Sequence, residues 1–278
     1  MRETKRYLGL ELAGAKNQKT SLAVLEYYPR EQKTFLLDSF DKISVQPDET
    51  SDEALLHLID EVREGVVYMG VNVPLVLPPC ITCSRKTCPP TGPCGDPAAL
   101  WMKRFTQRIA RKNENSNKLR TFTAYTQRPV ELWIRHKVFP ELPKTIHFEI
   151  DETLGGNRAP LTARMHFLKR HLENMSLVEI WPKLTVAVLC AQLGLPHRVG
   201  TAYRHLEDGA HFREEILTRL AEDYQIFIYE RDLHKLSASL TSFDAFICAF
   251  TALLCDKGDC VKIPKGFPIS SGWVHYPA

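Results

Sequence analysis

The chain of 278 residues is short of several things. It has no apolar run approaching the ~20 residues that span a bilayer, so no membrane partner is expected. Its first residues, MRETKRYLGL, lack the apolar stretch of a secretory signal, and a cytoplasmic protein is the reading. Net charge is only +3 with histidine neutral, so the chain as a whole carries a weak nucleic-acid signal. The segment GLELAGAKNQKT is not a phosphate loop of the G-x-x-x-x-G-K-[ST] kind. It has a faint likeness to the phosphate hairpin of actin-like kinases, but no second glycine-rich hairpin follows. An actin-like small-molecule phosphotransferase is therefore only a third functional reading. Repeats and low-complexity tracts are also missing.

Hydrophobic residues make up 44% and charged residues 25%, enough for a sizeable core in a globular protein. Residues 6–12 and 20–28 predict two strands joined by a polar turn, AGAKNQK, and KTFLLDSFDKISV predicts a third. TSDEALLHLIDEVREG predicts a helix opened by a Thr50–Glu53 capping box and stopped by Gly65. VVYMGVNVPL then reads as a buried central strand. After it, RPVELWIRHKVF, APLTARMHFLKRHLE and KLTVAVLCAQLG predict helices, with SLVEIWP as a short strand between the last two. SFDAFICAFTALLC places large apolar residues at helical spacing, and Ala245, Ala249 and Ala252 keep another side thin enough to lie close on a sheet. The expectation is one α/β domain over 1–278, a mixed five-stranded sheet with flanking helices, carrying an inserted Cys-rich and basic subdomain at 78–127.

Three acids stand where local physics favours apolar residues: Glu11 in the first strand, Glu179 at a strand end, and Asp244 in the last helix. Each has an ordinary explanation: a solvent-facing strand position, a neighbouring arginine, or a helix start capped by Thr241. Taken together, they can meet at one sheet edge. Converging carboxylates repel unless a cation neutralises them. Mg²⁺ or Mn²⁺ takes such oxygen ligands, and metal-activated water attacks phosphodiesters.

The ordered segments GLELAG, GVNVPLVLP, RPVELWIRH, LTARMHFLKRHLE, VEIWP and DAFICAFTA resemble domain-of-unknown-function family 429, predicted nucleases of ribonuclease H-like fold. The resemblance spans most of the chain except the insertion. It implies a ribonuclease H-like sheet and a divalent-metal site at Glu11, Asn72, Glu179 and Asp244. Two positions depart from the family pattern: Glu11 replaces Asp, and Asn72 replaces an acid. The implied function is a metal-dependent nuclease. The alternative is a catalytically inactive nucleic-acid-binding or scaffold protein of the same fold.

Of eight cysteines, Cys80, Cys83, Cys88 and Cys94 are clustered as C-x2-C-x4-C-x5-C. In a cytosolic chain that clustering favours a metal, Zn²⁺ first and an iron–sulfur cluster second. A basic helix follows, with Lys103, Arg104, Arg108, Arg111 and Lys112 candidates for phosphate contacts. Trp101 and Phe105 on the same helix are either its buried side or a base-stacking pair.

Overall fold

Alternation in the first strand sets the layers. The computed structural model describes residues 4–14, 19–43, 45, 47–85, 88, 94–112 and 122–278. Within it, β1 (Lys5–Glu11) sends Leu8 and Leu10 to one side and Tyr7 to the other. It pairs antiparallel with β2 (Ser21–Tyr28), which pairs antiparallel with β3 (Lys33–Phe40). On its other edge β1 runs parallel to β4 (Val66–Val71), and β4 runs parallel to β5 (Leu177–Glu179). A two-residue β6 (Ile226–Phe227) joins β3 in parallel. The mixed sheet therefore has six strands in the order β5-β4-β1-β2-β3-β6. This corrects the expected five: two residues are too few to show an alternating pattern.

The helices are α1 (Ser51–Val62), α2 (Pro79–Thr82), α3 (Pro97–Lys112), α4 (Pro129–Trp133), α5 (Arg158–Leu168), α6 (Pro182–Gln192), α7 (His197–Ala202), α8 (Gly209–Asp223), α9 (Glu230–Ala238) and α10 (Leu240–Lys257). The Thr50–Glu53 capping box opens α1 with both of its hydrogen bonds made. Pro129 and Pro182 stand in the first turns of α4 and α6, where a missing N–H costs nothing. Sequence patterning misses α9, whose residues are mostly polar.

Two helical layers enclose the sheet. On one face α10 covers Tyr7, Ala23 and Leu25, backed by residues of α6, α7, α8 and α9. On the other, Ala54, Leu55 and Ile59 of α1 and Met165 and Leu168 of α5 cover Leu8, Leu10, Leu22, Val24, Met69 and Val71. Within 78–127, Met102 and Phe105 of α3 bury against Leu132 of α4. Trp101 stacks on Phe105 at 4.5 Å and packs, partly buried, against the neighbouring apolar clusters, so the pair takes part in the packing. Residues 15–18 of the expected polar turn, the NENSNK loop (113–118), Lys118 and Arg120 lie outside the described residues. Among the described residues no single helix is long and apolar enough to cross a membrane.

The contact between α10 and the sheet is unusually close, and glycine makes it possible. A Cβ on Gly9 would lie 2.0 Å from the Ala245 carbonyl oxygen and 2.3 Å from the Ala249 nitrogen. One on Gly70 would lie 2.4 Å from the Cys248 carbonyl oxygen. These neighbours are backbone atoms and cannot rotate away. Gly9→Ala is therefore expected to lower unfolding stability by about 3 kcal/mol or more, at the upper end of overpacking costs. Gly14→Ala, which meets nothing within 4 Å, should lie within about 0.5 kcal/mol of wild type. Urea denaturation of the two variants checks this.

Candidate functional site

Side-chain alternation decides which acids meet. Along β1, Tyr7 faces α10, Gly9 lies beneath Ala245 and Ala249, and Glu11 points the same way at the strand end. Along β4, Gly70 lies under Cys248, so Asn72 just beyond the strand points to the same side. Asp244 enters from above, in the second turn of α10. The ordinary alternative, a helix with Thr241 as N-cap and Asp244 at its third residue, does not hold: Ser239 is the N-cap, accepting from the Ser242 N–H. These three residues gather at the edge where β1 and β4 end.

Glu179 does not join them. It pairs in register with Val71, which faces α1 and α5, so its side chain leaves the sheet on the opposite face. There Arg128 holds it in a bidentate clamp, Nη1 to Oε2 at 2.7 Å and Nη2 to Oε1 at 2.6 Å. The Leu75 N–H and the Trp181 Nε1–H donate to the same carboxylate at 3.0 and 3.1 Å. With four donors on two oxygens, Glu179 has no lone pair left for a metal. Its place in a shared carboxylate site with Glu11, Asn72 and Asp244 is thereby corrected. Strand parity is the reason.

The remaining acids also have partners inside the protein. Asn72 donates from Nδ2 to Glu11 Oε2 at 2.6 Å. Arg158 fixes that orientation by donating to the Asn72 backbone oxygen at 2.9 Å and to Oδ1 at 3.4 Å. The expected Asn72 amide oxygen therefore faces Arg158, and the N–H faces the acid. Arg204 pairs with Asp244 Oδ2 at 2.7 Å. Among the described residues, Asp244 Oδ1 is buried with no hydrogen-bond partner. Burial and the nearby Asp244 push Glu11 up to about 8, against the opposing pull of Asn72, Arg204 and Arg158. Burial also raises Asp244, although Arg204 opposes it.

Glu11 and Asn72 floor a cleft of about 500 Å³ whose walls include Arg158, Lys183 and Arg204 as well as Glu149 and Asp151. Arg158 lies over the Trp181 ring at 5.8 Å, and Lys183 over Phe148 at 6.0 Å. Sequence reading missed Arg128, Arg158, Lys183 and Arg204. No local pattern marks an arginine that reaches a distant acid. The only signal was the three misplaced acids, each of which required a partner.

Outside the cleft, Lys103, Arg104, Arg108 and Arg111 are exposed on α3, and the side chain of Lys112 lies outside the described residues. Cys80, Cys83, Cys88 and Cys94 line one pocket of about 190 Å³. None of them is in a disulfide. Among the described residues no group of three or more His, Cys, Asp or Glu is already arranged to hold a metal ion.

Two measurements test this geometry. Arg128→Met leaves Glu179 and Glu131 as uncompensated buried carboxylates and should cost about 3–5 kcal/mol of unfolding stability. The second concerns pH. Glu11 sits at about 8 instead of its ordinary 4.5, so the folded state holds a proton that the unfolded chain releases. Its stabilising contribution is complete below about 4.5 and is lost as pH rises through about 8. In chelated buffer, stability should fall across that window by at most about 1.4 kcal/mol per pH unit, and Glu11→Gln should flatten the slope. Denaturant midpoints taken across the window check it. Comparison of the chain with protein-family models, with curated proteins and with solved structures finds no match.

Proposed function

We propose that the chain is a nucleic-acid-binding protein on a ribonuclease H-like scaffold, in which a divalent-metal centre has given way to pairs neutralised by the protein itself. Strand order supports the scaffold. Strands β3-β2-β1 run antiparallel, β1-β4-β5 run parallel, and a long helix crosses them. The ordered resemblance to predicted nucleases of this fold points the same way.

One observation carries the loss of the metal. At Asn72 an amide N–H, not an oxygen, meets Glu11 at 2.6 Å. A donated proton occupies the place where two acids would otherwise share a cation. The Arg128 clamp on Glu179 and the Arg204 pair on Asp244 complete the neutralisation. Binding falls to α3, where Arg104, Arg108 and Arg111 follow one helical face at i, i+4, i+7 beside Lys103, all exposed. Such a stripe suits a phosphate backbone, whose affinity comes from displaced counterions and carries no sequence information.

A second reading, retained hydrolysis, is favoured by Asp244 Oδ1, unpartnered among the described residues, beside the raised Glu11. Glu11 and Asp244, with Asn72 reoriented, would then hold Mg²⁺ or Mn²⁺, which supplies charge stabilisation and an activated water.

Binding and cleavage of single-stranded, duplex, hybrid and branched substrates separate the two readings. We expect binding with a steep salt slope and no Mn²⁺-dependent cleavage above the Asp244→Ala variant. Replacing Lys103, Arg104, Arg108 and Arg111 with Ala should lower the duplex salt slope by about 3–4 and weaken binding more than tenfold. Mn²⁺-dependent cleavage lost in Asp244→Ala would establish the second reading. ATP turnover without nucleic acid, or salt-independent binding, would overturn both.

A further inference from the structure

The four clustered cysteines play no part in the cleft, and their surroundings do not explain them as packing. Cys80, Cys83 and Cys88 are exposed and Cys94 is half-buried, so they contribute little apolar burial. Yet all four residues line one pocket, whose other walls are Pro79, Arg85 and Asp96.

We propose that Cys80, Cys83, Cys88 and Cys94 bind a structural Zn²⁺ that ties α2 to the start of α3. Four thiolates around Zn²⁺ form a closed tetrahedral shell with no position left for substrate. Binding forms four Zn–S bonds and releases the four thiol protons to solvent, leaving a dianionic centre. The pocket supplies part of the compensation. Arg85 lines it, and Gly95 makes room: a Cβ there would lie 2.3 Å from Arg85 Nη2.

The thiols need not be in final position beforehand, because such sites assemble with the metal. The fixed parts flank them. On one side, the Cys80 N–H donates to the Ala124 oxygen at 3.0 Å. On the other, Asp96 Oδ1 accepts from the Ala99 N–H at 2.9 Å and its backbone oxygen accepts from the Leu100 N–H at 2.9 Å, closing the first turn of α3. Asp96 is thus both a pocket wall and the anchor of the helix bearing Lys103, Arg104, Arg108 and Arg111. Zinc here would fix the Cys-bearing stretch ahead of α3, while the helix itself is seated by Ala98, Ala99, Met102 and Phe105.

The test is elemental analysis and cobalt substitution on the full chain. We expect about one zinc per chain. It should fall more than tenfold in the Cys80→Ser/Cys94→Ser double variant and be retained in Cys190→Ser, which removes a buried thiol remote from the pocket. Metal-stripped wild type titrated with Co²⁺ should develop tetrahedral thiolate absorption saturating near one equivalent. This reading does not depend on how the double variant folds. Absence of both zinc and cobalt binding overturns the proposal. So does the absorption of an iron–sulfur cluster, or a mass showing disulfides among the four.

Discussion

Arg128 is the interaction around which the middle of the molecule is built. It is among the largest side chains with no exposure at all. Its fork reaches Glu179 at the end of β5, and its Nε reaches Glu131 one turn along α4. Glu131 in turn accepts from the Arg128 N–H and from the N–H and hydroxyl of Thr153. One guanidinium thereby fixes α4, the end of β5 and the segment leading to α5. Burial works against its charge, and Glu179, with help from Glu131, outweighs that penalty. Buried charge survives only with such complete pairing.

The same device recurs. Arg164 of α5 bonds Asp52, the Ala13 oxygen and the Thr20 hydroxyl, tying α5 to α1 and to the segments flanking the β1–β2 turn. Arg213 of α8 donates to the oxygens of Tyr203, Ser237 and Ala238, serving carbonyls left without intrahelical partners where α7 and α9 end. Arg158 and Arg204 do for the cleft what Arg128 does behind it. Guanidinium groups, each with several fixed donors, organise the polar interior of this fold.

Much of the frame was legible in the residues. Strand patterning gave β1 to β3, a near-continuous apolar run gave β4, the capping box gave α1, and the alanines of the last helix foretold its close seat on the sheet. The meeting of Glu11 with Asp244 was legible too, since a strand end and an early helix turn fall at the same sheet edge. Glu179 was misread because parity cannot be judged in a three-residue strand, and parity alone sends it to the other face. The amide orientation of Asn72 was out of reach. It depends on Arg158, which lies 86 positions away in the chain.

The seat of α10 on Gly9 and Gly70 has a consequence for the history of such a cleft. Helix and strands touch there backbone to backbone, so the spacing of the main chains that carry Glu11 and Asp244 is set by that seat, and rotamers decide only how the side chains fill it. Exchanges at 11, 72 or 244 would alter which side chains fill the cleft floor while the backbone seat stays put. A lineage of chains sharing the seat can therefore change the chemistry of this cleft through side-chain exchange alone, with no reshaping of the scaffold.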